Sequence, residues 1–294
     1  MDLSTRERAR PHVLGISVDA LTMTQAVTRC TDAMDSGGYL SIGVVNAAKI
    51  VAMRQDPSLR KAVSGCEMIL ADGQSVVWAS RMLRVPLPER VAGIDLFHEL
   101  LAKAARRGSR VYFLGARPDV LARMLDEVGR VFPGLSVAGA HDGYFTAAQE
   151  PGIAAEIRRS GTDLVFIGMS SPKKEMFLSR WGQATGASVV HGVGGSFDIL
   201  AGITRRAPVW YQKHGLEWLY RVRQEPLRLS RRYLTTNTSF MVMVAREMIR
   251  DRAGRRIGLQ QNAAQRRAWP AAARDADQQA ALAAMAHRTP GEGP

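Results

Sequence analysis

The chain has 294 residues, 46% of them hydrophobic and 23% charged, enough to bury a sizeable core and ordinary for a globular protein. Its 40 Lys+Arg against 27 Asp+Glu give a net +13, an excess that favours an anionic partner such as nucleic acid, anionic lipid or a phosphorylated substrate. Only Cys30 and Cys66 occur, which excludes a disulfide framework and zinc spacing and reads as reduced thiols in a cytosolic protein.

The polar start "MDLSTRERARP" lacks the apolar stretch of a secretory signal. No run approaches the ~18 to 20 apolar residues of a bilayer span, so the chain is not expected to cross a membrane by itself. From there, short apolar runs alternate with helical patterns. "YLSIGVVN" (39–46) reads as a strand and "AAKIVAMRQDPSLRKAV" as one helix. "EMILADG" (67–73) reads as a strand and turn, then "QSVVWASRMLR" as a helix, and 94–108 as a helix with i, i+3, i+4 apolar spacing. "RVYFLGA" (110–116) is a buried strand, 119–134 a helix stopped by Pro-Gly, and "LSVAGAHDGYF" (135–145) a strand with its loop. "GIAAEIRRSG" is a helix, "DLVFIGMSSP" (163–172) a strand with its loop, "KEMFLSRWGQATG" a helix, and "ASVVHGVGGSFD" (187–198) a last strand. This alternation predicts an α/β fold, a parallel sheet with helices on both faces.

Composition shifts after Pro208. Between Arg205 and Arg256 lie 13 basic residues and four acids, which supplies +9 of the net +13. "WYQKHGLEWLYRVRQ" predicts one helix, and another opens at Pro226. Met241, Val244, Ala245, Met248 and Ile249 form a helical stripe. The predicted organisation is a disordered 1–12, an α/β core over 13–205, a basic amphipathic helical appendage over 206–252, and a disordered tail over 253–294.

In an open parallel sheet, ligands bind outside the carboxyl ends of the strands. The loops there are "NAAK", "ADGQ", "LGARPD", "HDGYF", "GMSSPKKE" and "GVGGSFD". None is a dinucleotide or Walker loop, which argues against an NAD-type oxidoreductase. Asp72 is either a general base or a cap for the helix that follows it. Arg90 holds a diphosphate or pairs with Glu89. Lys173 and Lys174 open a helix, where cations are disfavoured unless an anion joins them. Tyr144 stacks on a base or is buried in its loop, and His191 reads as a core histidine rather than a ligand. Without a metal-ligand cluster or a D-x-D loop, a metal-independent reaction is expected.

Taken in order, "VVNAAKIV", "ILADGQSVVWASR", "ERVAGIDLF", "VYFLGARPDV", "HDGYF", "GMSSPKKE", "GVGGSFDILAG", "RRAPVW" and "GLEWLYRVRQEPLRLSRRY" resemble the WecG/TagA/CpsF glycosyltransferase family over Val13 to Tyr233. The nearest subgroup is that of xanthan-type β-1,4-glucosyltransferases. The resemblance implies a Rossmann-like sheet and inverting, metal- and cofactor-free transfer from a UDP-sugar to a polyprenyl-diphosphate-linked saccharide, in surface or exopolysaccharide synthesis. It makes Asp72 the base and puts Arg90, Asn46, Tyr144, Lys174, Gly194 and Gly195 around the donor. Arg221, Arg228 and Arg231 would belong to an appendage that closes over the site at the membrane. Two positions depart from the family pattern: Val44 stands where Thr is common, and Lys174 where Gln is common.

An anionic, partly apolar partner also explains why arginines alternate with rings over 206–233. Trp210, Tyr211, Trp218 and Tyr220 suit a headgroup layer, and the arginines suit phosphates. The expected location is cytoplasmic, attached peripherally to the inner face of the cell membrane, with self-association left open. The rival expectation is a basic nucleic-acid binder, against which stands the lack of an RNP motif, zinc fingers or a recognisable helix-turn-helix.

Overall fold

The computed structural model describes residues 10–213, 215–224 and 234–250. Two compact units divide between Val244 and Ala245, and the numbered strands and helices below belong to the first. Of the second, only residues 245–250 are described, and they are helical.

A two-stranded antiparallel hairpin, β1 (His12–Val13) and β2 (Ile16–Ser17), opens the chain. Helix α1 (Met23–Ser36) follows, bounded by a Thr22/Gln25 capping box and by Gly37 in the left-handed region. Next come β3 (Leu40–Val45), α2 (Ala47–Gln55), α3 (Pro57–Ser64), β4 (Met68–Ala71), α4 (Gln74–Met82) and α5 (Gly93–Arg107). The chain continues through β5 (Arg110–Gly115), α6 (Pro118–Val131), β6 (Ser136–His141) and α7 (Glu150–Arg159). It ends with β7 (Leu164–Gly168), α8 (Lys173–Trp181), β8 (Val189–Gly192), α9 (Ser196–Leu200), α10 (Val209–Lys213) and α11 (Glu217–Gln224).

Strands β3 to β8 form one parallel sheet in the order β4-β3-β8-β7-β5-β6. Its central strands are buried on both sides, hence their unbroken apolar runs. One face is covered by α1, α5, α6 and α9, whose apolar side chains form the main core with Phe113 and Phe166. On the other face α8 packs on α3 and α7, and α2 on α3.

The single helix expected over 47–63 is two helices. Pro57 has no N–H to continue α2, and Asp56 accepts from Ser58 and Leu59 to start α3. Likewise the helix expected over 210–224 breaks at Gly215, at φ 69, into α10 and α11. The predicted stripe near 241–249 does lie on a helix over 234–250, but Met241 and Ile249 are exposed while Val244 is buried. The helix expected from Pro226 lies outside the described residues, as do Arg228 and Arg231.

Topology places a crevice. The chain leaves β5 toward β6 on one side and β7 toward β8 on the other, so α6 and α8 diverge onto opposite faces. Backbones there touch closely: a Cβ at Gly115 would lie 2.5 Å from the Gly168 carbonyl carbon.

Candidate active site

Asp72 leaves the carboxyl end of β4, half-buried, with its N–H bonded to Val45 O. Its carboxylate does not cap α4, whose N-cap is Gly73 without a side-chain bond. Instead Oδ1 accepts from Gly93 N at 2.9 Å, the first residue of α5. That helix has no cap of its own, since Ala92 precedes it. Asp72 therefore caps α5 from another strand. Oδ2 is held more loosely, with Asn46 Nδ2 at 3.4 Å.

Asn46 follows β3 and caps α2, its Oδ1 accepting from Lys49 N at 3.0 Å. One amide thus ties the start of α2 to Asp72. Gly73 makes room for this: a Cβ there would sit 3.0 Å from Asn46 Cβ.

His191, on β8, is fully buried as expected of a core histidine. Its Nε2 lies 3.2 Å from Gly93 O. A carbonyl only accepts, so Nε2 carries the proton and donates. The Gly93 peptide is consequently gripped on both sides, by His191 at its oxygen and Asp72 at its nitrogen. Burial pushes the imidazole down to about 4, so it is neutral near pH 7.

Lys174 and Glu175 open α8 and are both buried. Glu175 Oε1 lies 2.8 Å from Lys174 Nζ and 2.6 Å from Lys49 Nζ. Burial alone would raise the Glu175 carboxyl, but the Lys49 and then the Lys174 ammonium outweigh it and hold it at about 2. Lys173, the other awkward cation, donates to Gly143 O at 2.7 Å and Phe145 O at 3.0 Å, over the Phe145 ring. Those carbonyls flank Tyr144 and offset the cost of a cation at the helix start. The same grip fixes the loop after β6 and draws it toward α8. Tyr144 is 72% exposed, so its ring is presented rather than buried.

Gly194, at φ 57, and Gly195 follow β8, Gly194 beside the Lys174 ammonium. Arg90 is mostly buried and does not pair with Glu89, whose carboxylate accepts from Met23 N. It reaches Glu217 of α11 at 3.1 Å and Asp95 of α5 at 3.8 Å. Arg206 joins Asp95 at 2.6 Å. Two arginines and two acids therefore fasten the 206–224 segment to the start of α5. The Arg221 side chain lies outside what is described.

The fold thus gathers Asn46, Asp72, Lys174, Gly194 and Gly195 at one end of the sheet, with Arg90 beside them at the entry to α5. Tyr144 stands over the far edge, on the loop that Lys173 pulls back. Sequence reasoning missed Lys49, the Glu175 role, Asp95, Arg206 and Glu217. Lys49 and Glu175 are 126 positions apart, and no local pattern marks such a pair. Among the described residues no group of three His, Cys, Asp or Glu is placed to hold a metal ion.

The acid limb of stability follows from two of these groups. His191 has a folded pKa below that of an unfolded imidazole, so protons favour unfolding as pH falls from ~6.5 to about 4. Glu175 contributes stability that is complete above ~4.5 and lost as pH falls toward about 2. We expect urea midpoints to fall continuously below about pH 6.5. A His191→Gln chain should lose only the upper part of that slope.

The profile of the glycosyl transferase WecG/TagA/CpsF family matches residues 11–254. A curated relative from Bacillus spizizenii, N-acetylglucosaminyldiphosphoundecaprenol N-acetyl-beta-D-mannosaminyltransferase, is 38% identical over 177 residues, covering 60% of this chain and 68% of the relative. With this match across most of its length, the chain belongs to the WecG/TagA/CpsF family of glycosyl transferases.

Proposed function

We propose that this glycosyl transferase moves a sugar from a UDP-sugar to a saccharide on polyprenyl diphosphate, with inversion and without a metal, in surface or exopolysaccharide synthesis. The observation that carries the reading is the Asp72 carboxylate, anchored through Oδ1 to Gly93 N and held loosely at Oδ2, on the rim where an open parallel sheet binds ligands. The name of the Bacillus spizizenii relative, an enzyme acting on N-acetylglucosaminyldiphosphoundecaprenol, supports the acceptor class.

In the proposed step Asp72 Oδ2 takes the proton of the acceptor hydroxyl as that oxygen attacks the anomeric carbon. The new C–O bond forms opposite the bond to the UDP oxygen, which breaks and leaves with its electron pair. Arg90 and Lys174 offset the charge growing on the leaving diphosphate. For Arg90 this means exchanging Glu217 for phosphate. Asn46 keeps the carboxylate aimed, Tyr144 offers its ring to the base, and Gly194 and Gly195 let the backbone approach phosphate.

Membrane attachment belongs to the same proposal, with Arg221, Arg228 and Arg231 on the acceptor diphosphate. It is supported by the exposed Val209, Trp210, Trp218 and Leu219 on α10 and α11, and by Trp78 and Met82 on α4. Gly215 rests against Gln74 and Trp78, which makes these faces neighbours. Among the described residues no helix is long and apolar enough to cross a membrane. The enzyme would then sit on the inner face of the cell membrane, binding and leaving reversibly.

The test is a panel of UDP-sugars, including UDP-glucose and UDP-N-acetylmannosamine, against a polyprenyl-diphosphate-linked acceptor. We expect one donor to add a single sugar mass without added metal. Hydrolysis alone, or transfer only with another nucleotide, would overturn the reading.

A further inference from the structure

Two ammoniums share one carboxylate beneath the loop that follows β8. Lys49 Nζ and Lys174 Nζ meet the same Glu175 Oε1, and all three side chains are about nine-tenths buried. The group carries one net positive charge where water screens it poorly, an arrangement that is costly unless something compensates it. Each ammonium has three donors, and among the described residues Glu175 is the only partner of either. Burial and the neighbouring Lys49 push Lys174 below the usual lysine range, which reflects the same crowding.

Compensation has one available direction. The cavity lined by Lys49, Lys174, Glu175 and Cys66 measures about 10 Å³, room for one water at most and too small for a polyatomic anion. Next to it lies the glycine turn, whose Gly192 also lines that cavity. A Cβ at Gly192 would be 3.2 Å from Lys174 Cδ, and one at Gly194 would be 3.7 Å from its Nζ. The turn has no side chain at Gly192 or Gly194 to stand between it and Lys174. Lys49 N donates to Asn46 Oδ1, and the same amide reaches Asp72 Oδ2, so the cluster borders the proposed base.

We propose that Lys49, Lys174 and Glu175 form a diphosphate seat. Glu175 clamps the two ammoniums together, and the surplus charge is taken up by a diphosphate resting on the turn from Gly192 to Gly195. Lys49 becomes a binding residue by this argument. The inference rests on the sugar-transfer reading above, in which donor and acceptor both carry a diphosphate.

Lys49→Met separates this from a structural ion pair because the two accounts predict opposite results. It removes one charge and leaves Lys174 and Glu175 balanced. The seat predicts an unchanged or higher unfolding midpoint, with at least tenfold weaker diphosphate binding by calorimetry. A structural pair predicts a lower midpoint with binding intact, which would overturn the seat. Lys174→Gln leaves Lys49 and Glu175 balanced and should give the same double signature, so one variant that fails to fold does not decide the matter. The probes are UDP and farnesyl diphosphate. Loss confined to UDP assigns the seat to the donor, and loss confined to farnesyl diphosphate assigns it to the acceptor. If the unaltered chain binds neither, both the seat and the reading beneath it fall. If it binds UDP and folded Lys49→Met and Lys174→Gln bind equally well, only the seat falls.

Discussion

Asp72→Asn is expected to lower turnover roughly 10²- to 10⁴-fold, the usual weight of a positioned general base. The substitution keeps size and an oxygen that can still accept from Gly93 N, so α5 keeps its cap. Donor affinity and the thermal midpoint should therefore change little. That combination separates a chemical role from a structural one: a mere cap, which Asn preserves, would lose neither rate nor stability. Undiminished turnover in a folded Asp72→Asn chain would remove the residue from the reaction.

Ending the chain at Arg205 should cost on the order of 10²-fold in turnover on vesicle-borne acceptor, the scale of a mispositioned substrate. The cut removes α10, α11, Arg206 and Glu217, and with them the ion pairs that fasten this segment to Arg90 and Asp95. It also removes the exposed Trp210, Trp218 and Leu219. The α/β core lies upstream of the cut and should stay folded. Flotation with anionic vesicles should show the shortened chain free in solution. Full activity on vesicles would refute the appendage as a membrane and acceptor element.

The sheet was legible because its central strands are covered on both faces, which turns each into an unbroken apolar run between helical patterns. Helix α1 went unassigned from sequence, although Thr22, Gln25 and Gly37 mark both its ends. The breaks at Asp56-Pro57 and at Gly215 carried their own local signals, and the apolar periodicity across them hid the division. The site was legible only in part. Asp72 stood out by position, whereas its hold on Gly93 depends on β4 and α5 meeting in space. Arg90 stood out by type, but its partner Glu217 comes from the far end of the fold. Lys49 looked like an ordinary residue of a first helical turn until α8 brought Glu175 within 2.6 Å. Long-range charge pairing leaves no periodicity to read.

The most direct measurement is a structure of the chain with UDP bound. The account predicts the diphosphate at the carboxyl ends of β3, β8 and β7, over the turn at Gly194, with its terminal phosphate one sugar ring away from Asp72. Nucleotide in the open groove of Pro118, Leu121 and His141 instead, with Asp72 out of reach of any bound phosphate, would contradict it.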